Sequence, residues 1–118
     1  MSNFRCDTHV PDHIKSAVTA SQTLTGDYIE MTGCVGASVM ASCTNGAAGA
    51  IYVDGSNQLG TNSIWVQCAT ATVAANGTAV LTFSGTDQIT PMHKLRCRFV
   101  SSSAGNVQVS VNGRRVTY

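Results

Sequence analysis

Cys6, His9 and His13 stand at the spacing C-x2-H-x3-H near the start of the chain, and all three side-chain types bind zinc. A structural zinc needs a fourth ligand, which Asp7, Asp12 or a residue of another subunit would have to supply. The usual signatures pair two such clusters, and this chain has one. The plainer reading, a polar segment that holds no metal, is preferred, and no cofactor is expected. Cys97 and His93 have the types of a nucleophile and its base. Cys97, however, alternates in step with Leu95 and Phe99, which makes it an inert core thiol. The carboxylates are Asp7, Asp12, Asp27, Glu30, Asp54 and Asp87. No two of them form a recognisable acid–base pair, and no glycine-rich phosphate loop leads into a helix. With no catalytic constellation, the chain is expected not to be an enzyme.

The remaining candidates are binding residues. Arg96 and Arg98 alternate outward on one strand and lack the interleaved aromatics of single-strand nucleic-acid binders. They read as a basic stripe that meets an acidic partner surface, against the alternative of solvated charges with no role. Trp65 alternates away from Ile64 and Val66, and Tyr52 has the same outward parity on its own strand. If their strands share a sheet, the two rings form one patch to be covered by a neighbouring subunit, by the N-terminal segment or by a sugar. The loop DGSNQLGTN would supply the Asn, Asp and Gln that a sugar site needs.

The elements that must position these residues are strands. The chain has 118 residues, enough for one domain. Hydrophobic residues make up 43%, while charged residues make up only 11%, less than half the usual share of about 25%. A surface of Ser, Thr, Asn, Gln and Gly suits packing against neighbours better than existence as a free monomer. The net charge of +1 recruits neither nucleic acid nor an acidic membrane, although no acidic residue follows Asp87 and that end is locally basic. No apolar run approaches the ~18 residues of a membrane span, and the first residues lack the apolar core of a secretory signal. Assembly in a cytosol is the expectation, and the five cysteines read as reduced thiols.

Residues 1–26 show little periodicity and read as an extended arm, with Phe4, Arg5, His9 and His13 as its expected contacts. One short strand around Ser16–Leu24 is an alternative. Residues 27–118 read as strands and turns. In VGASVMASC, Val35, Ala37, Val39, Ala41 and Cys43 share the core face, while Ser38 and Met40 face outward. KLRCRFVSS and NVQVSVNG alternate in the same way. In SIWVQCATATVAA, Ile64, Val66 and Cys68 share one face and Ala69, Ala71 and Val73 continue on the other parity. Such a switch marks a bulge or a bend between sheets. Asn45-Gly46, Asn76-Gly77 and Asn112-Gly113 suit backbone with positive φ, and SSSAGN suits a hairpin loop. Seven to eight strands at this spacing predict an all-β, single antiparallel β-sandwich or jelly roll with an extended N-terminal arm.

Gly55-Ser56-Asn57, Gly60-Thr61-Asn62, Trp65, Arg96, Arg98 and Asn112-Gly113 lie in a strand-and-turn order that resembles small β-sandwich proteins of tailed-phage virions. The resemblance covers about residues 50–115. It implies a non-enzymatic virion structural protein, with capsid decoration (cement) favoured over a tail or fibre accessory. In that role the chain would bind the major capsid protein or other virion proteins over junctions between subunits, as a homo-oligomer (dimer or trimer), with no direct contact to nucleic acid or membrane. Phe4, Arg5, His9, His13, Ser38, Met40, Tyr52, Trp65, Arg96 and Arg98 are the expected partner-binding residues. A carbohydrate-binding or adaptor module of a phage tail or fibre is the rival.

Overall fold

The computed structural model describes the backbone of residues 3–31, 34–57, 64–83 and 93–117, and the side chains of these apart from 3–9, 35 and 115–117. Among the described residues the chain forms nine strands and no helix: β1 (Asn3–Val18), β2 (Thr23–Thr25), β3 (Ile29–Glu30), β4 (Cys34–Thr44), β5 (Ala48–Ser56), β6 (Val66–Val73), β7 (Thr78–Phe83), β8 (Lys94–Ser103) and β9 (Gly105–Thr117). They build two antiparallel sheets, a four-stranded one in the order β1-β9-β4-β7 and a five-stranded one in the order β2-β8-β5-β6, with β3 also on β8. Since β2 and β3 share one edge position, this is the strand order of a jelly roll.

Strict alternation puts one face of each sheet inside. Ala37, Val39, Ala41 and Cys43 of β4 and Val107, Val109 and Val111 of β9 meet Ile51 and Val53 of β5 and Leu95, Cys97 and Phe99 of β8. Each large side chain buried in this layer contributes about 1.5–3 kcal/mol. The parity switch expected after Cys68 is present. β6 runs Ala71 opposite Ile51 and Ala69 opposite Val53, then skips to Gln67 opposite Asp54. The bulge turns the start of the segment outward. Ile64 and Val66, expected to point inward, are therefore exposed.

Four further expectations are corrected. The segment read as an arm is, over Asn3–Val18, the edge strand β1, hydrogen-bonded along β9. Its pattern was hard to read because two extra residues intervene between Val10 and Ile14. Pro11 lies there, where a missing N–H does no harm. The strand alternative at Ser16–Leu24 fails as well. The chain turns at Thr19–Gln22, with Ser21 at φ 62, and is pinned by Ser101, whose N–H donates to Gln22 O at 2.9 Å and whose Oγ donates to Thr19 O. Asn112-Gly113 is not a turn; it lies within β9, with Gly113 opposite Ala37 and Thr8. Nor is SSSAGN a hairpin, because β8 and β9 belong to different sheets. Asn45 (φ 54), Gly46 (φ 88) and Asn76 (φ 57) do adopt the expected positive φ. The two turns are tied together by Gly46 N–H donating to Asn76 Oδ1 at 2.9 Å.

Candidate functional site

The outer face of the five-stranded sheet sets Asp54, Lys94, Arg96 and Arg98 in one row. β8 alternates Leu95, Cys97 and Phe99 inward, so Lys94, Arg96 and Arg98 take the opposite parity, the two arginines half-buried and Lys94 buried. Register then decides their partners. Tyr52 lies opposite Arg98, Asp54 opposite Arg96 and Ser56 opposite Lys94. On the other side of β8, Glu30 lies opposite Lys94.

Asp54 is the centre of this face and only 2% exposed. Arg98 grips it with both ends of its fork, Nε to Oδ2 at 2.6 Å and Nη2 to Oδ1 at 3.1 Å, while Arg96 Nε reaches the same Oδ2 at 3.0 Å. A buried carboxylate is tolerated only when paired and hydrogen-bonded in this way. The hydrogen bonds to Asp54 push the Arg98 pKa above its ordinary value, against a smaller opposing effect of burial. Arg98 Nη2 also donates to Gln67 on β6 at 3.4 Å. The acidic surface that the arginine stripe was expected to meet is therefore, for both residues, an aspartate of the same sheet.

Each of the three cations lies against an aromatic ring. Arg98 sits 4.9 Å from the Tyr52 centroid, Arg96 4.4 Å from the Trp65 ring and Lys94 Nζ 4.3 Å from the Tyr28 ring. Tyr28 and Trp65 are 6.4 Å apart and tilted by 42°. Each arrangement is a cation–π contact, worth about 0.5–1 kcal/mol where exposed and more where desolvated, as at the buried Lys94. The face thus reads Tyr52, Arg98, Asp54, Arg96, Trp65, Tyr28, Lys94 as one connected ladder. Tyr52 and Trp65 do not touch each other directly; the arginines and Asp54 link them. Tyr28, Lys94 and Asp54 were not among the sequence candidates. The alternation of Lys94, Arg96 and Arg98 beside that of Tyr52 and Asp54 was the available signal.

The other expected contacts lie elsewhere. Ser38 and Met40 are on the outer face of the four-stranded sheet. There Ser38 lines a shallow cavity of about 270 Å³ with Gly36, Thr82, Phe83 and Asn112, and Met40 is 48% exposed. His13 is buried. Its Nε2 accepts the N–H of Cys97 at 3.2 Å, which joins the β1 irregularity to β8, and burial lowers its pKa although Asp27 works the other way. A side chain engaged in this way is part of the sandwich rather than of an arm. Backbone pairing places Phe4 opposite Val116, Arg5 opposite Arg115 and His9 opposite Asn112. Their side chains, that of Cys6, and the Gly60-Thr61-Asn62 loop lie outside the described residues. Burial pushes the Cys97 thiol up to about 12, and the nearby Asp54 charge adds to that, so it stays protonated.

No protein-family model and no curated protein sequence matches the chain. Solved structures match its fold. The PBSX exported protein XepA superposes with a TM-score of 0.68 at 12% identity over 91% of this chain; the chain spans only 37% of that protein's length. The SPBc2 prophage-derived protein YomS gives 0.60 at 13% identity, over 97% of this chain and 95% of that one. A chitosan-binding module from a chitosanase/glucanase of Paenibacillus sp. IK-5 gives 0.52 at 16% identity, over 82% and 74%. At these identities the likeness is one of fold.

Proposed function

We propose that the chain is a non-enzymatic structural protein of a phage particle, which attaches to neighbouring virion proteins through the outer face of its five-stranded sheet. The carrying observation is the ladder built on Asp54. It concentrates Trp65, Tyr28, Tyr52, Arg96 and Arg98, the residue types enriched at the energetic centres of protein interfaces. The arginines are already held by Asp54 and the rings by the arginines, so docking would freeze few rotamers and keep most of its contact energy. The full-length likeness to a prophage-derived protein supports a phage setting. Within that setting we favour capsid decoration, in which a small module sits over junctions between capsid subunits and stiffens the shell by burying surface across them.

A carbohydrate-binding role is the second reading, favoured by three rings on one sheet face and by the fold shared with the chitosan-binding module. It ranks second because one face of each ring is already taken by a cation, which leaves less ring surface for a sugar. Co-sedimentation with particles of the phage that encodes the chain tests the choice. Trp65→Ala with Arg96→Ala should reduce particle-bound protein at least tenfold while circular dichroism stays that of the wild type. Undiminished attachment sinks the proposal. Glycan binding by the wild type that the same pair abolishes, without particle attachment, would transfer the face to sugars.

A further inference from the structure

Among the described residues the two sheets have four edge positions, one of them shared by β2 and β3, and an unguarded edge invites another strand to pair with it. Three of the four are guarded. β1 carries Pro11 and the irregularity between Val10 and Ile14. β2 is only three residues long. β6 is kinked where its register shifts opposite Val53 and Asp54. β7 has no such device. It pairs β4 in unbroken register from Thr78 to Phe83, and its sequence TAVLTF holds no charge, proline or glycine.

The phase of the ladder fixes what this edge presents. Cys43 N–H donates to Gly77 O, so residues 77, 79, 81 and 83 turn their main-chain groups toward β4. Thr78, Val80 and Thr82 turn theirs away, and no described strand pairs on that side. Exposed and half-buried residues alternate along the strand. Val80 is 53% exposed beside Met40, while Leu81 and Phe83 pack on the core and stay partly uncovered.

We propose that β7 pairs antiparallel with β7 of a second copy of this chain, about a two-fold axis through Val80. In that register every outward group is used: Val80 exchanges hydrogen bonds with the partner's Val80, and Thr78 with the partner's Thr82. On the inner side Ala79 lies opposite the partner's Leu81, small against large. This self-complementarity selects a second copy over a foreign strand. The absence of charge is what permits it, since any charged residue on the axis would meet itself. The pairing is independent of what the five-stranded face binds.

Analytical ultracentrifugation of the full chain tests this. The wild type is expected at twice 12.3 kDa. Val80→Glu and Val80→Lys, both at an outward position, should each shift to the single-chain mass with unchanged circular dichroism, and mixing them should restore the double mass because opposite charges then meet at the axis. Amide exchange at Thr78, Val80 and Thr82 should be slower in the wild type than in Val80→Glu. A wild type that stays at single-chain mass, a Val80→Glu dimer, or two charged variants that fail to recombine would each overturn the proposal.

Discussion

Removing the Asp54 carboxylate is the most direct perturbation of the ladder. In Asp54→Ala the three charge-assisted bonds at 2.6, 3.0 and 3.1 Å disappear, and two guanidinium groups face each other with nothing between them. Deleting one member of a buried ion pair costs about 3–5 kcal/mol. The side chains of Arg96 and Arg98 remain 26% and 27% exposed, so each can recover some hydration by swinging outward, which places the loss near the lower end, about 3 kcal/mol. For a domain of this size that lowers Tm by roughly 12 °C. Asp54→Asn keeps an acceptor and loses the charge, so its cost should be smaller, about 2 kcal/mol. Urea unfolding gives the free energies, and Trp65, the one tryptophan, reports movement of Arg96 through its fluorescence in the folded state. Combining Asp54→Ala with Arg98→Met should cost about 1–2 kcal/mol less than the sum of the single changes, because the two residues act on each other. An Asp54→Ala protein within about 0.5 kcal/mol of wild type, or strict additivity with Arg98→Met, would refute the claim that the carboxylate organises this face.

Two further outcomes concern the link between the sheets. Burial holds the folded-state pKa of His13 below 6.5, so the unfolded chain takes up that proton first as pH falls. The stability due to neutral His13 is full above 6.5 and is lost as pH drops toward the folded value; the urea midpoint should therefore fall with acidification, and His13→Gln should flatten that dependence. Gly26 packs directly on the same ring: a Cβ there would lie 2.3 Å from His13 Nε2 and 2.8 Å from His13 O. Gly26→Ala should cost about 1–3 kcal/mol by overpacking, measured by thermal melting, with partial recovery when His13 is also changed to Ala.

The parts of the fold that could be read from sequence are those where one residue in two faces a dry core. β4, β8 and β9 keep that alternation over long runs, and the reversal of parity within 64–73 marked the β6 bulge. β1 was illegible because Pro11 and its neighbours break the period in the middle of the strand. Turn residues were read correctly as turns at Asn45 and Asn76, but local chemistry does not say which sheet the next strand enters. That is how Ala104-Gly105 passed for a hairpin when it is an arch between sheets. The site follows the same logic. The outward parity of Tyr52, Arg96 and Arg98 was legible within each strand, while that of Trp65 was not, because Ile64 and Val66 on either side of it are exposed. That Asp54 sits between the two arginines depends on the pairing of β5 with β8, a contact across more than forty residues of chain, and no local pattern carries register at that distance.

The two outer faces of the sandwich divide the sparse charge of the chain unequally, and the division has a mechanical consequence. Lys94, Arg96, Arg98 and Asp54 are linked on the five-stranded side, while the four-stranded side presents Ser38, Met40 and Ser42 beside Thr78, Val80 and Thr82, with Lys15 and Arg114 as separated cations. A strand-to-strand two-fold at β7 stands perpendicular to the sheet it extends, because paired residues must keep a common face. Such a dimer carries both five-stranded sheets on one side and both four-stranded faces on the other. Two ladders aimed in the same direction can engage a surface that repeats itself, and the second contact is then made at the effective concentration set by the rigid dimer rather than by free protein. A modest contact at each ladder would become firm attachment on a repeating lattice and stay weak on an isolated subunit, which is the discrimination that the proposed decoration role requires.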